Sequence, residues 1–190
     1  MPKSTALKTG ATYEDLGDVP EHFVGEILGG ELYATPRPAL QHAHAASVLG
    51  IELGGPFHRG RNGPGGWWII DEPELHFGAD VLVPDLAGWR RENLPQIPSA
   101  LYLTVAPDWI CEVLSPSTET IDRAKKLAIY ARERVGNAWL VNPGSQTLEV
   151  LRLESERWSL LATHDGAAKV RAEPFAAIEL ELGALWISAK

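Results

Sequence analysis

Apolar and polar positions alternate over residues 23–35, FVGEILGGELYAT, on either side of Gly29-Gly30, which predicts two short strands joined by a tight turn. From Leu40 to about Phe57 the period changes. Ala45, Val48, Leu49 and Leu53 recur at helical spacing, with Pro38 near the expected start. The segment GGPFHRGRNGPGG that follows holds six glycines and two prolines and is expected to be a loop. WWII (67–70), ELHF (74–77) and DVLVPDLAGW (80–89) carry strand composition, with Pro84 predicting an interruption, a bulge or an edge in the last. Residues 92–106 are broken by prolines and allow at most a short helix. Residues 108–114 have the apolar density of a buried strand. Ser115-Pro116-Ser117 supplies N-cap chemistry for a helix from about 118 to 134, whose expected apolar stripe is Ile121, Ala124, Leu127, Ala128 and Ala131. Strands are predicted at 138–142, 147–153 and 157–163, and IELEL alternates before a short tail. Together these elements predict one α/β domain, with a mixed central sheet flanked by two main helices.

The length of 190 residues fits a single domain over 1–190, with residues 1–20 expected to be a partly flexible N-terminal segment. MPKSTALKTG lacks an apolar targeting stretch, and no apolar run approaches bilayer length, so a cytoplasmic location is expected. The single cysteine, Cys111, sits among strand-like apolar neighbours and is expected to be buried and inert. A net charge of −8 argues against a protein that coats nucleic acid through bulk charge. Basic residues nevertheless gather in FHRGR (57–61), WRR (89–91) and the stretch 123–134, as local patches or as ordinary solvated charge.

One residue conflicts with its surroundings. Glu112 stands among Trp109, Ile110, Cys111, Val113 and Leu114, where an unpaired acid costs several kcal/mol. A second acid, Asp85, ends a different predicted strand. Two carboxylates about 4 Å apart would repel by roughly 1–4 kcal/mol, a cost that a cation or protonation removes. Mg²⁺ is the natural cation, since it takes one or two carboxylates and fills its shell with water and phosphate oxygens. Phosphodiester hydrolysis is the chemistry such an ion promotes. Strand-end acids on an ordinary surface are the competing reading.

The series FVGEILGGELYATP, LQHAHAASVLGIEL, VPDLAGW, ICEVLSPST, then Asp122, Lys126 and Tyr130, then AWLVNP, resembles the Uma-two family of restriction-endonuclease-like proteins in the PD-(D/E)XK nuclease superfamily. The resemblance runs over roughly residues 20–185. It implies a restriction-endonuclease-like fold, with an N-terminal hairpin and C-terminal antiparallel strands. In that pattern Pro84-Asp85 matches the PD element and Glu112 the acid of (D/E)XK. Position 114, where the lysine would stand, is leucine, which the family also allows, and the resemblance moves the lysine to Lys126 on the following helix. Asp122, Lys126 and Tyr130, spaced i, i+4, i+8, share a helical face lying away from the expected apolar stripe. Spacing alone does not choose Lys126 over Lys125, and a solvent-exposed Asp122–Lys126 pair is the alternative.

The resemblance also implies that Asp85 and Glu112, with the Val113 carbonyl, bind Mg²⁺ or Mn²⁺, and that Lys126 assists the nucleophile. Glu26 and His42 match family positions. Glu26 stands for a second metal or water contact against a plain surface role, and His42 for a proton relay or phosphate contact against a helix-start hydrogen bond. A zinc site through His42, His44 and His76 is rejected, because helical residues two apart point to nearly opposite sides. Trp109 and Trp139 are expected in the core. Trp67, Trp68 and Trp89 remain open to base stacking. Where the family has Gly-Val-x-Glu-Tyr-Trp after the helix, this chain has Arg134, Asn137 and Ala138 in place of the Gly, Glu and Tyr, and Asn142 replaces a common Asp. The expected function is a metal-dependent endonuclease acting on nucleic acid, DNA by preference, as a homodimer. The alternative is an inactive nuclease-fold module that binds nucleic acid or protein.

Overall fold

The computed structural model describes residues 5–187; the first four residues of the expected flexible segment and the last three of the tail lie outside the described residues. The N-terminal segment contributes β1 (Lys8–Thr9) and a 3-10 turn over Tyr13–Asp18. β2 (Phe23–Leu28) and β3 (Glu31–Pro36) then form the predicted antiparallel hairpin. Gly29 and Gly30 turn it by adopting φ of 63° and 76°, a backbone that side chains resist. α1 (Leu40–Leu53) buries Ala45, Leu49 and Leu53, as its periodicity predicts. The helix does not yield to loop at Gly54. It continues as a π-helical turn over Gly54–His58 that buries Phe57, so the expected loop is shorter than its glycine content suggested. An apolar anchor outweighs two glycines there.

β4 (Trp67–Asp71), β5 (Leu75–Phe77), β6 (Asp80–Leu82) and β7 (Leu86–Arg90) follow. Pro84 does more than interrupt a strand. β6 pairs with β2 and β5, whereas β7 pairs with β4 and with β8 (Trp109–Val113), so Pro84-Asp85 lies where the chain passes from one sheet to the other. Residues 92–106 form no helix; they turn and place Leu103 beside Leu75. After β8 come α2 (Glu119–Ile121), a π-helical turn (Asp122–Lys126) and α3 (Leu127–Arg132), continuous with one another. β9 (Asn137–Asn142), β10 (Thr147–Glu154) and β11 (Arg157–Asp165) complete the larger sheet. β12 (Lys169–Val170) pairs with β13 (Leu180–Glu181), all that the IELEL alternation contributes as strand.

The smaller sheet runs β1-β3-β2-β6-β5 and the larger β11-β10-β9-β8-β7-β4. The larger sheet is mixed, because β8 and β9 are parallel and their crossover is the α2–α3 helix. One face of β8 (Trp109, Cys111, Val113) packs on α1 and on an aromatic group centred on Phe175, whose ring lies 4.6 Å from Phe57 and 4.9 Å from both Trp67 and Trp109. Trp109, Trp139 and Trp89 are fully buried, and burial pushes the Cys111 thiol well up. The other face, with Ile110, Glu112 and Leu114, meets the α2–α3 helix. Here the expected stripe is corrected. Ile121 and Leu127 are buried, but Ala124 and Ala128 are exposed, and Asp122, Lys126, Ile129 and Tyr130 are buried instead. The Leu127 N–H donates to Asp122 O, five residues back, and this wider turn shifts the inward face relative to an unbroken 3.6 period. No helix among the described residues is long and apolar enough to cross a membrane.

Candidate active site

Pro84 ends the run of β6 and leaves Asp85 at the start of β7, beside the end of β8. The Asp85 Oδ2 accepts the Val113 N–H at 2.7 Å, and its Oδ1 lies 3.3 Å from His42 Nε2 at the start of α1. Glu112 is 2% exposed, and both its oxygens are engaged. Lys126 Nζ donates to it at 2.9 Å and the Tyr130 hydroxyl at 2.7 Å. The same ammonium lies 2.9 Å from Glu26 Oε1 and 4.0 Å from Asp122 Oδ1, and donates to Val83 O at 3.1 Å. Glu26 is fixed in turn by the Val83 N–H at 2.8 Å. The chain thus discriminates between adjacent lysines: Lys126 is buried among carboxylates, and Lys125 reaches outward to Glu31 at 2.6 Å. The N-cap expected within Ser115–Ser117 falls instead at Thr118, whose side chain makes no cap bond; Ser115 braces the turn before it, its Oγ accepting the Thr118 N–H at 3.3 Å and its carbonyl the Glu119 N–H at 2.9 Å.

Burial dominates the electrostatics. It lifts the Asp122 carboxyl to about 7, with Lys126 opposing and Glu26 and Asp85 adding to the rise. Burial likewise pushes Glu112 well up, Lys126 opposing and the other three carboxylates reinforcing. Burial pulls Lys126 down, but Glu112 and Glu26 outweigh it and hold the ammonium charged. For His42, burial lowers and the Asp85 contact raises, with a net upward shift. Its Nδ1 is buried and has no hydrogen-bond partner among the described residues.

Glu26, His42, Asp85, Glu112, Val113, Asp122 and Lys126 line one cavity of about 320 Å³, and Tyr130 stands behind Glu112. Arg37, Glu72, Ser117 and Thr118 also line it and escaped sequence reasoning. Thr118 lies next to the predicted cap, whereas Arg37 carries no pattern that separates it from other surface arginines. His44 turns to Ala184 O at 3.1 Å, and His76 pairs with Glu74 at 2.7 Å while stacking on Tyr102, so these histidines do not meet His42.

Among the described residues, no group of three or more acidic, histidine or cysteine side chains forms a ready metal cage. A Mg²⁺-type ion does not require one, since waters and substrate oxygens complete its shell. The donor set fits such an ion: five carboxylates line the cavity, against one ammonium, one guanidinium and one imidazole. Burial is the main cause of the raised Asp122 and Glu112 carboxyls, and the neighbouring carboxylates add to it.

The Uma2 family model, described as "Putative restriction endonuclease", matches residues 12–184. Among solved structures, a crystal structure described as "a putative nuclease belonging to DUF820", from Anabaena variabilis ATCC 29413, is similar with a TM-score of 0.72 and 22% sequence identity. The match covers 92% of this chain and 97% of that one and shows a shared fold. No curated protein matches the chain. Since the family match spans nearly the whole sequence and takes in α1, every residue of the acid cavity and every strand but β1, this chain belongs to the Uma2 family of restriction-endonuclease-like proteins.

Proposed function

We propose that the chain is a metal-dependent endonuclease that hydrolyses nucleic-acid phosphodiester bonds, with DNA as its substrate. The observation that carries this reading is the meeting of Asp85 and Glu112 at an open cavity that also holds a buried, charged lysine. Asp85 and Glu112, with the Val113 carbonyl, would hold Mg²⁺ or Mn²⁺. When bound, the ion supplies Lewis-acid polarisation of the phosphoryl group and lowers the pKa of an attacking water. Lys126 places a fixed positive charge at the cavity wall, where it orients that water and offsets charge developing on phosphoryl oxygens. Tyr130 and Glu26 hold Lys126 and Glu112 in position. His42, with Nε2 3.3 Å from Asp85 Oδ1, is placed to relay a proton with that carboxylate or to contact a substrate phosphate. Arg37 and the Ser117 and Thr118 hydroxyls line the same cavity and suit phosphate oxygens.

Cutting both strands calls for two cavities. β11, the outer strand of the larger sheet, exposes Leu160 and Leu161 and is the edge through which two copies would pair; sedimentation velocity should then report a dimer. One observation favours a second reading, an inactive binding module: Glu112 is already satisfied by Lys126 and Tyr130 without an ion. Incubation of supercoiled plasmid and labelled single strands with Mg²⁺ or Mn²⁺ separates the two. Cutting by the native protein that disappears in Asp85→Ala supports hydrolysis; no cutting, or equal cutting by both proteins, supports the module.

A further inference from the structure

The three basic groups of the sequence have different fates. In the stretch 123–134, Arg123 pairs with Glu119 and Glu149, Lys125 with Glu31, Arg132 with Asp80 and Glu133, and Arg134 with Glu156. That charge is neutralised within the molecule. The other two groups, FHRGR and WRR, are brought together although some thirty residues separate them: His58, Arg59, Arg61 and Arg91 line one concavity of about 400 Å³ with Gly65 and Gly66. An adjoining hollow shares Gly65, Gly66 and Arg91 and adds Arg90. Among the described residues, none of these four guanidinium groups forms an ion pair. Arg91 lies 3.9 Å over the Trp68 ring and donates to His58 O at 2.9 Å, and Arg90 lies 4.6 Å over Trp67. Glu92 and Asp108 are the nearby acids. Glu92 lines the second hollow, and Asp108 is occupied by the Arg90 N–H and the Asn93 amide.

The segment that presents Arg59 and Arg61 is built in place. Phe57 anchors it in the core, Arg61 N–H donates to Gly55 O and Gly65 N–H to Pro56 O, both at 2.9 Å. Gly63 approaches Pro56 so closely that a Cβ would lie 2.3 Å from that ring. Its position relative to the acid cavity follows from α1. His42 near the helix start lines the cavity, and Gly50, Ile51 and Gly54 at its other end border a recess with His58 and Arg59. Twelve helical residues separate the two ends by roughly 18 Å, or about five base-pair steps at 3.4 Å.

We propose that Arg59, Arg61, Arg90 and Arg91 form a docking surface for the phosphate backbone of nucleic acid, separate from the acid cavity and reached by the same bound strand. Four uncompensated arginines on a chain of net charge −8 concentrate attraction at one place while the acidic remainder repels a polyanion. The proposal rests on the nucleic-acid reading of the preceding subsection, and its test is independent of cleavage. Fluorescence anisotropy of labelled duplex and single-stranded oligonucleotides in EDTA, across a salt series, compares native protein with R59A/R61A. Both side chains are exposed and unpaired, so the thermal midpoint should not change. Affinity should fall about tenfold or more, and the slope of log K against log salt should fall by about 1.8 on the duplex and about 1.4 on the single strand. Unchanged affinity and slope would overturn the proposal, as would binding to anionic lipid vesicles with no binding to either oligonucleotide. Hydrolysis of a small phosphodiester should be equal in the two proteins. A native protein inactive in that assay would count against hydrolysis alone, leaving the binding comparison decisive for the surface.

Discussion

The two faces of β8 are equally buried and chemically opposite. Trp109, Cys111 and Val113 meet apolar side chains around Phe175, while Glu112, between Ile110 and Leu114, meets an ammonium and a phenol. The apolar face is sufficient reason for a strand to be buried. The polar face is not, because a buried ion network seldom gains more from attraction than it loses in desolvation. The metal chemistry proposed for the cavity it borders would account for its presence.

Stability measurements can break this contrast. On the apolar face, Phe175→Ala removes the ring around which four aromatic side chains pack and should cost about 3–5 kcal/mol in urea unfolding. On the polar face, Lys126→Met should cost a similar 3–5 kcal/mol by stranding Glu112 and Glu26. The two should differ in rescue. Adding Glu26→Gln and Glu112→Gln to Lys126→Met should restore most of the loss, whereas no change of charge should repair Phe175→Ala.

The pH dependence sharpens the same point. Asp122 titrates near 7 in the folded chain against 3.8 ordinarily, so the folded state binds its proton more tightly. The stability this contributes is full below the ordinary value and is lost as pH rises through about 7. Between pH 5 and pH 8 the loss approaches roughly 3 kcal/mol as an upper bound, since at 1.36 kcal/mol per unit it accrues over the two units from 5 to 7 and then levels off. Asp122→Asn should flatten that fall and be the more stable protein at pH 8, as read by urea unfolding at each pH. A smaller effect lies outside both faces. Arg134 closes α3 with φ of 64°, where the family pattern has glycine. Arg134→Gly should raise stability by about 1 kcal/mol, since the exposed Arg134–Glu156 pair contributes little.

What the sequence disclosed divides along the same line. The hairpin at Gly29-Gly30, the buried stripe of α1 and the break at Pro84 were legible because local periodicity and backbone restriction determine them. So was the anomaly of Glu112, as an acid in an apolar run. The inward face of the α2–α3 helix was not legible from periodicity, because the π-helical turn over Asp122–Lys126 departs from the 3.6 period that the stripe assumed. Hence alanines 124 and 128 were expected inside, and Asp122 and Lys126 came to the cavity only through the family resemblance. Choosing Lys126 over Lys125 required tertiary structure. The arginine surface was visible only as scattered charge, since sequence does not say which arginines find carboxylates.

The central claim is that the excess acid on the polar side of β8 exists to hold a divalent cation at Asp85 and Glu112. Calorimetric titration of the native protein and Asp85→Ala with Mn²⁺ tests it most directly. The account predicts saturable binding in the native protein that is lost in the variant; no binding in either, or equal binding in both, would contradict it.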